Sequence, residues 1–166
     1  MGRSAQNQEY IFEEKYDLYA RSLYKLCMVY LSEPYDCEDV LQEVFIKLLN
    51  NSSKFNNAEH ERRWVFRVCI NTCKNKLDYA KRHRNEELNE NLGFDMESGI
   101  DMESTPADVA NAIKNLAPIY KDVIHLHYYE GYSIKEIADI LKKGESSIKM
   151  RLVRAREVLK LDLEEA

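Results

Sequence analysis

The sequence predicts an all-α fold, and three observations predict it. Apolar residues recur at steps of three and four along most of the chain, the spacing of one helix face. Glycine and proline are scarce, 5 and 3 in 166 residues, while 45% of residues are hydrophobic, as in a globular and largely helical protein. The third is the stretch YSIKEIADILKKGESSIKMRLVRAREVLK at residues 132–160, which reads as two short helices joined by a tight turn. The length suits one medium domain or two small ones.

The first helix carries Phe12, Tyr16, Tyr19, Leu23, Leu26 and Tyr30 on one core stripe, sustained to Leu31. Ser32-Glu33-Pro34 ends it, because the residue before a proline is pushed out of the helical region. Asp36 offers a cap for the next helix, with Glu38 and Asp39 in its first turn. That helix buries Leu41, Val44, Phe45 and Leu48. Its opposite face aligns Asp39, Gln42, Glu43 and Ile46, which fits a surface for a partner protein or a solvated helix back with one stray apolar residue.

A polar loop from Ser52 to Asn57 leads into HERRWVFRVCINTCKNKLDYAKRHR. Phe66, Cys69, Ile70, Cys73 and Leu77 form its inward stripe, and Trp64, Arg67, Asn71 and Lys74 share a neighbouring face. An aromatic ring, two cations and a carboxamide on one face could grip single-stranded DNA by stacking, charge and base hydrogen bonds. Spacing alone puts core packing ahead for Trp64. Cys27 and Cys37 stand isolated, and Cys69 and Cys73 have no paired cysteines or histidines nearby to complete a tetrahedral zinc site, so buried thiols are expected. His125 and His127 are two apart, diverge on a helix and are expected to be structural.

The formal net charge is -5, but it is unevenly spread. Basic residues outnumber acidic ones from Lys54 to Arg84; Glu86, Glu87, Glu90, Asp95, Glu97, Asp101, Glu103 and Asp108 then pass without a Lys or Arg. The segment Asn85 to Thr105 has few apolar residues, so it should not pack as a core of its own. Two basic islands on either side of an acidic strip suggest two nucleic-acid contacts.

A second domain opens at Thr105-Pro106, a cap followed by proline at the first helical position. Val109, Ile113 and Leu116 give a short helix; Pro118 begins another, which Val123 and Leu126 help to bury and Gly131 stops. Ser133 caps a helix with Ile134, Ile137, Ala138 and Leu141 on its inner face. Lys142, Lys143 and Gly144 break it, the glycine supplying the left-handed backbone of the turn. A second stripe resumes at Ile148, Leu152, Ala155 and Leu159.

Lys149, Arg151, Arg154 and Arg156 leave that last stripe, and Ser146 and Ser147 sit at the N-terminus of the helix, where free backbone N–H groups favour phosphate. A recognition helix is built this way, its first turns on base edges in the major groove and its basic residues on the backbone. The alternative is a solvated cationic helix in an ordinary bundle.

DVLQEVFIKLL, then RRWVFRVCINTCKNKL, an acidic linker and the YSIKEIADIL helix-turn-helix ending in RARE together resemble the small bacterial sigma factors of the extracytoplasmic-function group, within the sigma-70 family. The resemblance runs from about Phe12 to Leu163. It implies two small helical domains: a region 2 bundle over residues 8–84 and a region 4 helix-turn-helix over 107–166, joined by a flexible acidic linker over 85–106.

The resemblance also implies roles. Asp39, Gln42, Glu43 and Ile46 would dock on the clamp coiled coil of the RNA polymerase β′ subunit, with the β flap as a further polymerase contact. Trp64, Arg67, Asn71 and Lys74 would hold an extruded base of the melted minus-ten element, with Asn71 at the base itself. Ser146, Ser147, Lys149, Met150, Arg151, Val153 and Arg154 would read the minus-thirty-five element, Arg151 nearer the backbone. Met150 and Val153 depart from a polar reading face and suit thymine methyl groups. The linker would thread the polymerase cleft, although a passive tether has the same composition. An anti-sigma protein, often membrane-anchored, is the implied inhibitor.

A stand-alone helix-turn-helix regulator is the rival reading, and a pure protein-interaction module is a third. The rival leaves the Asp39–Ile46 face and Asn71 without a purpose. No metal-ligand set, glycine-rich phosphate loop or nucleophile motif is present, so no catalysis, cofactor, metal or small-molecule substrate is expected. The first dozen residues lack an apolar core segment and no apolar run suits a membrane span, so the expected location is the cytoplasm.

Overall fold

The computed structural model describes residues 2–87 and 106–164, with side chains at 5–83, 109 and 111–160. The linker expected over 85–106 lies largely outside them, as does Thr105, the expected cap. The chain divides into two compact units, Met1–Lys74 and Asn75–Ala166, so that the division falls inside one long helix. Every regular element among the described residues is helical, and none of these helices is long and apolar enough to cross a membrane.

The first unit is built from α1 (Gly2–Leu31), α2 (Pro34–Asn50) and the greater part of α3 (Ala58–Glu87). Tyr19, Leu23, Leu26, Cys27 and Tyr30 of α1 are buried, as their spacing requires. Phe12 and Tyr16, expected on the same stripe, are 38% and 47% exposed. They flank the edge of the core instead, with ring centroids 5.9 and 5.4 Å from that of Phe45. Periodicity fixed their direction around α1, but the neighbouring helices do not cover that turn.

Ser32 takes a positive φ of 62° just past the end of α1. Glu33 is the N-cap of α2 in extended backbone, without a side-chain cap, and Pro34 stands at the first position, where its fixed φ suits a helix and its missing N–H is no loss. Asp36 therefore lies inside the first turn, not at the cap where it was expected. From there Cys37, Val40, Leu41, Val44, Phe45 and Leu48 face the core.

Asn57 starts α3: its Oδ1 accepts the backbone N–H of His60 at 2.7 Å, and His60 Nδ1 accepts the N–H of Asn56 at 3.2 Å. One turn on, Glu61 is buried. Its carboxylate accepts from Lys15 Nζ at 2.7 and 2.9 Å and from the Tyr19 hydroxyl at 2.8 Å, which ties α3 to α1. Val65, Phe66, Cys69, Ile70 and Cys73 follow inward, all buried, whereas Leu77 is half-buried.

In the second unit α4 (Pro106–Lys114) and α5 (Pro118–Ile124) bury Ala112, Ile113, Val123 and Ile124, with Leu116 between them. A π-helical turn, His125–Tyr129, extends α5, and the chain reverses at Gly131 with φ 73°. Ser133 then caps α6 (Ile134–Leu141) through a full capping box: its Oγ accepts from the Glu136 N–H at 3.2 Å and its own N–H donates to Glu136 Oε2 at 2.8 Å.

The turn before α7 (Glu145–Glu164) departs from expectation. The left-handed residue is Lys142, φ 55°, and not Gly144. Lys143 N–H donates to the Ala138 carbonyl at 3.0 Å, a closure that demands a left-handed backbone where the α6 ladder ends. Gly144 falls at the start of α7, accepting from the Ile148 N–H at 3.1 Å, with open space where a Cβ would sit. Ile148, Leu152 and Ala155 are buried and Leu159 is half-buried.

A lysine in this conformation costs about 1 kcal/mol that glycine avoids. Lys142→Gly is therefore expected to raise the thermal midpoint of the second unit, and Gly144→Ser to be tolerated. A large loss of stability in Gly144→Ser, measured by calorimetry, would return the strained position to 144.

Candidate docking face and nucleic-acid interfaces

The outer face of α2 is set by its inner one. With Val40, Leu41, Val44 and Phe45 buried, helical geometry turns Asp39, Gln42, Glu43 and Ile46 outward together, and all four are exposed. Ile46 is 54% exposed, and Glu43 is held by Lys47 one turn on at 3.0 Å. Asp39, Gln42 and Ile46 line a hollow of about 490 Å³, whose wall also includes Phe12, Tyr16 and Phe45. The isoleucine is thus continuous with an aromatic edge from α1. Sequence reading missed Phe12 and Tyr16 as part of this face, because a helix stripe does not reveal where its cover ends.

On α3, Trp64 is half-buried and its ring meets Phe55 of the preceding loop, centroids 5.1 Å apart; Phe55 in turn meets His60 at 5.5 Å. Trp64 is therefore neither deep core nor a fully solvated platform. Further along α3, Arg67 and Lys74 are half-buried and Asn71 is exposed, and 100° per residue puts these three and Trp64 on one flank of the helix.

On α7, Ser146, Ser147, Lys149 and Arg154 are exposed, and Met150 and Val153 are 51% and 44% exposed. Arg151 is half-buried and close enough to buried Asp122 of α5 to act on its charge. Arg156 donates to the Tyr128 hydroxyl and lies 5.6 Å over its ring. Of the four basic residues that leave the apolar stripe, Arg156 is thus in contact with the protein and Arg151 is within electrostatic reach of it.

The support beneath α7 carries ionisable groups that periodicity could not reveal. Burial pushes the Asp122 carboxyl up to about 7, although Arg151 and a backbone hydrogen bond pull against it. Lys121 beside it is lowered by burial and by Lys114. His125 Nε2 lies 3.2 Å from the Glu130 carboxylate and its ring stacks on Tyr129, whereas His127 Nδ1 is 2.9 Å from the Tyr132 carbonyl.

All four cysteines are buried thiols. Cys27 is not isolated, however: its sulfur meets those of Cys69 and Cys73. The Cys69 thiol is raised well above its usual value by hydrogen bonds to both and by burial, and Cys37 is pushed up to about 12, chiefly by burial.

The fold is that of a known protein family. The family model described as Sigma-70 region 2 matches residues 16–83, and that described as Sigma-70, region 4 matches residues 107–159. SigW of Bacillus subtilis, an extracytoplasmic-function RNA polymerase sigma factor, is 29% identical over 92% of this chain and 88% of its own length. SigX of the same organism is 26% identical over 94% and 85%. The sigma factor RpoE of Bartonella quintana, solved in complex with the anti-sigma factor NepR, shares the fold with a TM-score of 0.67 at 22% identity, covering 92% of this chain and 96% of that one. CnrH, solved with the cytosolic domain of CnrY, gives 0.65 at 20% identity, with 96% and 91% covered.

Two sigma-70 regions in this order define a transcription initiation factor. The chain belongs to the sigma-70 family, in its extracytoplasmic-function group.

The raised Asp122 carboxyl makes the second unit pH-sensitive. An acid whose folded value lies above its unfolded value of about 4 binds more protons in the folded state, so stability falls as pH rises from about 4 to about 7, by at most ~1.4 kcal/mol per pH unit, and stays low above that. Asp122→Asn is expected to remove this slope and to be the more stable protein at about pH 8. Denaturant melts across that range test it; a variant less stable than the parent at about pH 8 would show instead that ionised Asp122 is paired strongly enough with Arg151 to stabilise the fold.

Proposed function

We propose that the two units divide the work by which this sigma factor binds core RNA polymerase and directs promoter-specific initiation. Asp39, Gln42, Glu43 and Ile46 dock α2 on the β′ clamp coiled coil, and Phe12 and Tyr16 extend that contact. The α3 flank of Trp64, Arg67, Asn71 and Lys74 receives the melted minus-ten strand, and Asn71 hydrogen-bonds an extruded base, which offsets the few kcal/mol lost in unstacking. Ser146, Ser147, Lys149, Met150, Arg151, Val153 and Arg154 engage minus-thirty-five duplex, with Met150 and Val153 against thymine methyl groups. The second unit also meets the β flap.

The observation that carries this reading is the Ile46 patch, an exposed apolar group among acid and amide side chains on a helix whose other face is core. The working domains are residues 8–84 and 107–166, with the acidic strip 85–106 as a connector through the polymerase cleft. The role is recognition and assembly without catalysis, in the cytoplasm, and an anti-sigma protein is the expected restraint. A net charge of -5 opposes tight duplex binding by the chain alone.

Transcription with purified core polymerase on fragments of the source genome tests the division. Alanine at Asp39, Gln42 and Glu43 together is expected to weaken polymerase binding about tenfold or more, ~1.4 kcal/mol, and to abolish chain-dependent start sites. Unchanged binding by that variant would remove the docking face. Asn71→Ala is expected to leave polymerase affinity intact and to slow promoter opening about tenfold, the loss of one good hydrogen bond; unchanged opening on every promoter would remove the base pocket.

A further inference from the structure

Three sulfurs from two helices converge in the core of the first unit. Cys27 Sγ of α1 is 3.6 Å from Cys69 Sγ and 3.8 Å from Cys73 Sγ of α3, and the three lie within 4.8 Å of one another. Cys69 and Cys73 stand one helical turn apart, which stacks them on one face, and Cys27 meets them from the helix opposite. All three are fully buried.

The spacing is that of a ligand set. Bonds of about 2.3 Å to a central atom hold sulfurs about 3.8 Å apart at tetrahedral angles and closer still in a narrower pyramid. The sulfurs of Cys27, Cys69 and Cys73 need little movement to reach it. Their chemistry narrows the occupant further: an all-sulfur set selects soft, thiophilic centres. Cys37 is not part of the cluster; its sulfur meets the Met28 thioether at 3.4 Å. Three donors without a fourth among the described residues disfavour zinc, whose structural sites close with four.

Charge decides among the soft centres. An uncompensated ion in an apolar core is costly. Three thiolates around a monovalent or divalent ion leave net negative charge there, whereas a trivalent centre leaves none.

We propose that Cys27, Cys69 and Cys73 form a three-sulfur site for a trivalent thiophilic metalloid, with arsenite as its representative. Arsenous acid, As(OH)3, is neutral at neutral pH and the buried thiols are protonated. Three As–S bonds form as three As–O bonds break, and each thiol proton leaves with a hydroxide as water. No electron is transferred and no charge is buried. The product joins α1 to α3 through one atom, and entry requires transient opening of the unit, so association is slow.

The test is incubation of the full native chain with arsenite, read by native mass spectrometry and thermal unfolding. The expected result is one arsenic per chain at a mass corresponding to loss of three thiol protons, with a raised unfolding midpoint. Cys27→Ser, Cys69→Ser and Cys73→Ser should each lose the three-sulfur adduct, and Cys37→Ser should keep it. Because a core variant could unfold, X-ray absorption on the unmutated chain supplies an independent count, expected to be three sulfurs around arsenic. The proposal fails if the native chain takes no arsenic, if the adduct survives in any of the three cluster variants, if the midpoint falls because arsenite favours the unfolded chain, or if cadmium binds this cluster where arsenite does not.

Discussion

Glu61 fixes the rotation of α3, and what that helix displays follows from it. A carboxylate removed from water is tolerated only with partners that replace its solvent, and loss of one partner from a buried pair typically costs about 3–5 kcal/mol. Lys15 and Tyr19 lie one turn apart on α1 and both reach the same carboxylate. That contact is directional where the apolar contacts of Phe66 and Ile70 are not. With Glu61 held inward and Asn57 fixing the first turn, 100° per residue carries Val65, Cys69 and Cys73 to the core and leaves Asn71 exposed.

The second unit reaches a similar end with different means. Its reading helix is short of acidic neighbours on its outer face, although the chain as a whole is acidic. Arg156 is held to Tyr128 of the π-helical turn and half-buried Arg151 lies within electrostatic reach of Asp122 of α5, while Lys149 and Arg154 remain exposed. The capping box at Ser133 and the left-handed Lys142 fix both ends of α6. A helix presented to a duplex has to be held in register by its back, and here the back includes ionisable side chains as well as Ile148 and Leu152.

Most of this was legible where it depended on period. The inner residues of α2, the recognition-helix stripe and the outward set from Asp39 to Ile46 follow from 3.6 residues per turn, and the Ser133 cap from its hydroxyl, which can accept a first-turn N–H. What escaped depends on where covering ends and on which distant segments meet. Phe12 and Tyr16 have core spacing but lie beyond the part of α1 that is covered. Gly144 suits a left-handed turn, yet the hydrogen-bond ladder of α6 ends at Lys142 and places the strain there. Cys27 and Cys69 are separated by 42 residues, and no local pattern reports such a contact.

The thiol cluster and the exposed carboxamide share one segment of α3. Cys69 and Cys73 flank Asn71, and two residues of helix turn Asn71 about 200° away from either of them. Anything that fastens the two sulfurs to Cys27 therefore acts on Asn71 through the backbone alone, without entering the surface that holds it. Glu61 sits two turns before Cys69 and already sets the same rotation. A central atom bound to all three sulfurs would reinforce this orientation and leave Asn71 facing outward. The consequence of occupancy is then a stiffer α1–α3 contact beneath an unchanged outer face, an effect on how readily the unit opens and not on what its surface recognises.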